Sequence, residues 1–492
     1  MLFEPLFAHA QSKPQAVAIY DDRGSWTYQQ VAAMAAGLGM YLSLQTRKPT
    51  VGILLPAGVG FVASFYGTLL AGKAVVPINF LLGDREIAHV IKDSDIDTVV
   101  TMGPLVGRLA GMADLKVIDL MQLPQTPPAA ITPHFPQVTA DDLAVLMYTS
   151  GTSGLPKGVR LSYGNLQSDV NAAIEYAALK SQHVFLGVIP LFHSFGMTAM
   201  MLAPIQLGAP VIYMSRFSAV GAVENIRKHS VSLMFGVPSM FGAMLRLKSA
   251  SAEDFKNVYA FISGGEPLPS TVREGFRERF GVNLLEGFGL TETSPVVALN
   301  TPQDNRVGSV GKPVPGAQIK IVDEEGNAIG RGEQGEIWLK GPMIMKGYHN
   351  LPAATAEALT ADGFFKTGDL GHVDADGFLY ITGRKKDLII VAGEKASPRE
   401  IEEVIMKLPG VCDVAVVGKK DASRGEVVVA FVTAKEGQTV TGDEVKEICR
   451  REGLPQWKVP REVMVVADLP RSPTGKILKR VLAEQVNQHE TP

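Results

Sequence analysis

Cysteine is scarce in this chain, with only Cys412 and Cys449 among 492 residues. Two thiols cannot build a disulfide framework, and neither belongs to a closely spaced pair of the kind that binds zinc. No H-E-x-x-H stretch occurs either, so a zinc centre is not expected and a reducing cytoplasm is the compartment that fits. Charge of one sign is also missing. The net charge is −3, and there is no basic stripe and no aromatic RNA-binding motif, which argues against nucleic acid as a partner. The opening MLFEPLFAHAQSKPQ lacks a basic stretch followed by a long apolar run, so a cleaved leader is not expected. Internal repeats and low-complexity tracts are absent as well.

What the chain does have is length, enough for at least two domains. One stretch, Val51 to Gly72, carries no charge over a membrane-spanning length. Pro56 and the glycines at 52, 58, 60 and 67 break it up, so it reads as a buried strand (VGILL), a turn, a helix over about 60–71 and a second strand (AVVPI). Membrane contact is then peripheral at most. Two nucleotide-motif lookalikes lie in the same region. Gly58, Gly60 and Ala63 fit G-x-G-x-x-A but lack the acidic residue expected at the end of the next strand. GTLLAGKA, 67–74, resembles a Walker loop but has Ala74 where a magnesium-binding hydroxyl belongs. Helix packing is the better reading of those glycines.

Beyond a proline-rich connection (Pro124, Pro127, Pro128, Pro133, Pro136), β-rich runs such as VFLGVIP, APVIYM, LMFGVP and VYAFISG alternate with helix-like stretches, which predicts layered α/β structure. From about residue 305 short strands with turns follow, AQIKIVDEEGNAIG and GEIWLKG among them, and read as a β-rich subdomain. GRKKDLIIVAGEK, 383–395, reads as a linker into a small α+β unit.

The chemistry concentrates in YTSGTSGLPKG, Tyr148 to Gly158, where four hydroxyls, three glycines and one lysine follow an apolar strand. Consecutive backbone N–H groups in such a turn form a nest for phosphate oxygens, with hydroxyls and an ammonium as further donors. SGGEPLP, PLFHSFG, GFGLTET, FKTGDLG and PRSPTGKILKR supply further polar turns along the chain. In this order the segments resemble the adenylate-forming enzyme superfamily of acyl-CoA synthetases, peptide-synthetase adenylation domains and luciferase, over roughly residues 10–485. Among its members, SGGEPLP, PLFHSFG and PRSPTGKILKR look most like bacterial fatty-acyl-CoA synthetases.

The resemblance implies an α/β fold: a large N-terminal AMP-binding domain over 1–384, with layered α/β subdomains and a β-rich subdomain, and a small mobile α+β C-terminal domain over 385–492. It implies a ligase that joins a carboxylic acid to ATP, releases pyrophosphate, and passes the acyl group to the thiol of CoA. An acyl carrier protein is the alternative acceptor, and an aryl or other acid the alternative substrate. No carrier domain follows Lys476, so a self-contained peptide-synthetase module is not expected. No G-x-S-x-G elbow is present, as suits catalysis by placed positive charge without a protein nucleophile.

Residue roles follow from the same resemblance. Thr149, Ser150, Gly151, Thr152, Ser153, Gly154 and Lys157 wrap the triphosphate. Glu292 ligates Mg2+ with help from Thr149, and Thr291 meets the α-phosphate. Gly287, Phe288 and Gly289 cover one side of the adenine, and Gly264, Gly265 and Glu266 line the other. Asp369, with Arg384, clamps the ribose. Lys476 bridges the carboxylate and the α-phosphate. Lys386 marks the hinge of the small domain, and Gly393, with Glu394, lines the thiol path. At Ile390 many long-chain relatives carry lysine. His193, placed at a strand's end, stands beside the acyl carbonyl. Methionine-rich, nearly uncharged runs at MTAMMLAPIQLGAP and LMFGVPSMFGAML suit an aliphatic tail.

Overall fold

The computed structural model describes residues 1–112, 114–124, 134–149, 155–471 and 477–488. It divides into two compact units: Met1–Gly265 with Phe276–Gln318 and Leu339–Phe365, and Glu266–Gly275 with Ile319–Trp338 and Lys366–Pro492.

The first unit holds two large sheets. One runs in the order Lys116–Asp119, Thr98–Thr101, Thr50–Leu54, Ala74–Pro77, Leu143–Thr149 and Lys157–Ser162. Its first five strands are parallel and the last is antiparallel to Leu143–Thr149. In the other, the strands Leu284–Gly289, Ala260–Ser263, Leu233–Gly236, Phe185–Gly187, Val211–Tyr213 and Val17–Asp21 form a parallel centre with antiparallel strands at both edges. Strands covered on both faces need apolar side chains at consecutive positions. Leu233–Gly236 and Ala260–Ser263 are accordingly buried at every residue.

The uncharged stretch resolves into the strand Thr50–Leu54, the helix Val59–Leu70 and the strand Ala74–Pro77, as its prolines and glycines predict. That helix is buried on nearly all sides, which accounts for its lack of polar residues. Both lookalikes have structural roles. Asp21 stands at the helix N-terminus, where its carboxylate accepts the Val59 N–H at 2.9 Å, so the helix end already holds its anion. A Cβ at Gly67 would lie 2.9 Å from the Ala35 carbonyl, and one at Gly39 3.0 Å from that of Gly67, so these glycines let the helices Tyr28–Gln45 and Val59–Leu70 touch through their backbones. Lys73 donates to the Lys48 carbonyl at 2.6 Å. Among the described residues no helix is long and apolar enough to cross a membrane.

The second unit carries most of the short-strand sheet Gln318–Val322, Gly335–Lys340, Phe365–Val373 and Leu379–Arg384, and a five-stranded sheet around the long pair Val411–Asp421 and Gly425–Ala434. Alternation along that pair builds a core on each face. Val414, Val416, Val428, Ala430 and Val432 pack with Ile401, Ile405, Val445 and Ile448 of two helices. Ala415, Val417, Val429 and Phe431 pack with Leu482 and Val486 of the helix Lys479–Asn487. The expected linker at 383–395 is more ordered than its composition suggests. Lys385–Asp387 is a short turn, and Ile389–Val391 and Glu394–Ala396 form a hairpin joined to the five-stranded sheet, because the apolar IIV run has a buried face to fill.

Candidate active site

The segment Tyr148–Gly158, expected from the sequence to hold phosphate, is held at its ends by long-range contacts. Its flanking strands pair antiparallel with Thr149 opposite Lys157, while Ser150, Gly151, Thr152, Ser153 and Gly154 lie outside the described residues. The helix Asp84–Asp93 grips both ends. The Tyr148 hydroxyl donates to Asp93 Oδ2 at 2.6 Å, and His89 Nε2 donates to the Pro156 carbonyl at 3.0 Å. Burial, and then the Asp93 carboxylate, push the Tyr148 phenol far up, so it remains a donor. Residues 346–349 run along the open edge: Lys346 N–H donates to the Arg160 carbonyl, Arg160 N–H to Gly347, and His349 N–H to Gly158.

Glu292 sits on the tight turn Thr291–Thr293 at the end of the strand Leu284–Gly289. Tyr348 donates its hydroxyl to Glu292 Oε1 at 2.8 Å, and Lys157 Nζ lies 5.5 Å from the centre of the same ring. The Tyr348 phenol is pushed up by burial first and by the Glu292 carboxylate second. Lys157 and Glu292, 135 positions apart, are thus brought to one aromatic side chain that sequence reasoning missed; a tyrosine among glycine and lysine in MKGYHN carries no motif signal of its own. Thr291 Oγ1 lies 3.3 Å from Ser194 Oγ. Gly289 must be glycine, since a Cβ there would fall 1.8 Å from the Pro295 carbonyl oxygen. Phe288 is half-buried opposite Ala298, and Gly287 packs against Leu299.

Gly264 and Gly265 end the strand Ala260–Ser263, and the Phe195 ring covers Gly264, 3.2 Å from where a Cβ would be. Phe195 meets Phe235 edge-on at 6.0 Å. His193 differs from expectation: the strand Phe185–Gly187 stops six residues earlier, and His193 instead occupies the exposed position before the short helix Ser194–Met197. The intervening VIPLF leaves the sheet, because Pro190 has no N–H for a ladder. Among the described residues no three His, Cys, Asp or Glu side chains cluster. One carboxylate flanked by a hydroxyl suits magnesium, which keeps several waters and substrate phosphates as ligands.

In the second unit Asp369 faces Arg384 across neighbouring strands, with Arg384 Nε 2.8 Å from Oδ1. Asp369 is 2% exposed, and its own N–H donates to Thr367 Oγ1. Lys386 lies in the turn Lys385–Asp387, where burial, reinforced by Arg384, lowers its ammonium pKa. Gly393 turns the Ile389–Ala396 hairpin at φ +91°, a conformation that favours glycine, and Ile390 is exposed beside it. Lys476 lies outside the described residues. Its flanks are tied together by the Arg471–Ile477 bridge and by Leu478 N–H donating to the Pro470 carbonyl at 2.8 Å. Ile477 N–H donates to Glu266 Oε1 at 3.1 Å, and Lys479 pairs at 2.6 Å with Glu402.

The AMP-binding enzyme family model matches residues 6–349, and that of the AMP-binding enzyme C-terminal domain matches 400–476. A long-chain-fatty-acid–CoA ligase of Bacillus subtilis (strain 168) is 32% identical, over 94% of this chain and 90% of its own. A 4-coumarate:CoA ligase of Petunia hybrida is 33% identical over 91% and 86%, and a sulfoacetate–CoA ligase of Cupriavidus necator 35% over 90% and 87%. Among solved structures, ATP-bound MatB from Rhodopseudomonas palustris superposes with a TM-score of 0.90 at 29% identity, over 98% of each chain. O-succinylbenzoate coenzyme A synthetase from Bacillus subtilis, with ATP and magnesium ion, gives 0.85 at 29% identity over 97% and 98%. Lys157 and Glu292 meeting at one ring, a glycine-walled strand end and these relatives agree: the chain belongs to the AMP-binding enzyme family and is an ATP-dependent, AMP-forming acid–CoA ligase.

Proposed function

We propose that the acid is a medium- or long-chain fatty acid, and that the acyl group passes from an acyl-adenylate to CoA in the cytoplasm. The observation that carries the nucleotide half is the meeting of Lys157 and Glu292 at Tyr348. Lys157 and the amides of Thr149–Gly154 hold the triphosphate, Thr291 orients the α-phosphate, and Phe288 with Gly264–Glu266 brackets the adenine. Glu292 and Thr149 would hold magnesium, which supplies charge neutralisation on the phosphates when bound. Asp369 accepts from the ribose hydroxyls while Arg384 holds its carboxylate in place. Lys476 neutralises the approaching carboxylate and α-phosphate.

The acid side is read from apolar walls. Phe195, Phe235 and Gly264 form an uncharged surface next to Ser194 and Thr291, and Met197, Met200, Met201, Met234 and Met244 are buried close by in sequence. A sulfonate or second carboxylate would call for a fixed cation there, whereas an alkyl chain needs none. The edge-on Phe195–Phe235 pair favours an aryl acid as the second reading, since flat rings stack well in such a corner.

After adenylation the small domain, taken from residue 385, turns at Lys386 so that Gly393 and Glu394 line the thiol path to His193. An acid-by-acceptor screen measuring AMP release tests the assignment. Fatty acids of 8 to 16 carbons should release AMP with CoA faster than cinnamic acids do, and faster with CoA than with carrier protein. The reverse order would refute it.

A further inference from the structure

Among the described residues Tyr348 meets both Glu292 and Lys157, yet it belongs to neither the segment 148–158 nor the turn Thr291–Thr293. Backbone pairing fixes it: Val159 bridges to Tyr348, His349 N–H donates to Gly158, and Tyr348 N–H donates to Thr355 Oγ1 at 2.9 Å. Its hydroxyl takes Glu292 Oε1 at 2.8 Å, leaving Oε2 without a partner among the described residues. The Lys157 ammonium lies over the same ring. A carboxylate and an ammonium on long side chains that meet at one ring attract each other, and pairing directly would take each from the phosphates and the metal. A phenol prevents this in two ways, because its hydroxyl satisfies the carboxylate and its face holds the cation.

We propose that Tyr348 is a positioning residue that keeps Glu292 and Lys157 apart and aims both at one metal–triphosphate. This rests on reading Glu292 as a magnesium ligand. Outer-shell partners of this kind contribute about 10–100-fold to metal affinity.

The test uses Mn2+ as a spectroscopic stand-in for magnesium, titrated by electron paramagnetic resonance into the full chain with a non-hydrolysable ATP analogue. Tyr348→Phe removes only the hydroxyl and should weaken Mn2+ binding by about 10–100-fold, without changing metal-free binding of the analogue. Tyr348→Leu should show the same metal loss and also weaken metal-free nucleotide binding, because Lys157 loses its ring. In adenylation assays Tyr348→Phe should raise the apparent KM for magnesium more than it lowers kcat. Wild-type Mn2+ affinity in both Tyr348 variants, with loss in Glu292→Gln, overturns the proposal and leaves Glu292 as a ligand. Wild-type affinity in Glu292→Gln as well removes Glu292 from the metal site and the proposal with it.

Discussion

Asp169 offers a test of the burial argument at a position with no part in the chemistry. It lies inside the helix Tyr163–Tyr176 with 0% exposure, and neither carboxyl oxygen has a hydrogen-bond partner among the described residues. The Val296 amide faces it and offsets a little of the burial without reaching hydrogen-bond geometry. Burial therefore raises its pKa well above the ordinary 3.8, so the folded protein holds this proton more tightly than the unfolded chain does. The sign follows from proton counting. Above pH 3.8 the unfolded chain releases this proton and the folded chain does not, so rising pH favours unfolding, by about 1.4 kcal/mol per pH unit up to the folded pKa. Asp169→Asn is isosteric and cannot ionise. Its stability relative to the wild type should therefore rise as pH rises above 3.8, with the sign set by the raised pKa of Asp169. The readouts are thermal melts at closely spaced pH, together with hydrogen exchange of the helix Tyr163–Tyr176, since a chain of two units need not unfold in one step. A pH-independent difference, or a variant less stable at pH 7 than the wild type, would refute the reasoning.

Gly289→Ala would place a methyl 1.8 Å from the Pro295 oxygen and displace the turn carrying Thr291 and Glu292; pyrophosphate exchange should fall by about 10²-fold, and a wild-type rate would show that the turn tolerates the shift. Arg384→Leu removes the guanidinium that pairs with the buried Asp369 carboxylate. One-sided removal of a buried pair costs about 3–5 kcal/mol, and since Arg384 is 42% exposed, water screening reduces this to about 1–2 kcal/mol. Arg384→Leu combined with Asp369→Asn should regain most of that loss in chemical denaturation, and a doubled loss would show that the pair is not the cause. Lys386→Pro should let acyl-adenylate accumulate while thioester formation slows, whereas Lys476→Ala should lose about 10²–10³ in adenylation alone; rapid quench of each half-reaction separates them, and equal losses in both steps would remove the hinge assignment.

The parallel strands were legible because burial on both faces demands unbroken apolar runs: VFLGVIP, APVIYM, LMFGVP and VYAFISG each hold the strand found there. The glycine-broken stretch at 51–72 was legible for the same reason. Three things were not. His193 was misplaced because an apolar run interrupted by Pro190 looks like strand until the ladder is seen to end at Gly187. The 383–395 segment reads as a linker from its charges, while the buried Ile389 and Val391 decide its structure. Tyr348, Asp93 and His89 escaped altogether, since residues that act by gripping another segment's backbone or carboxylate need no particular neighbours in sequence.

The two apolar clusters on opposite faces of the Val411–Asp421 and Gly425–Ala434 pair draw every member from Ile389 to Val486. A segment of about a hundred residues that owns both of its cores meets the size and packing needs of autonomous folding. Recombination can therefore treat it as a cassette: grafted onto another ligase of this family at Leu388, it should arrive already folded, with the Ile389–Ala396 hairpin carried in. Changes inside that segment can then be selected without repacking the cores that lie outside it.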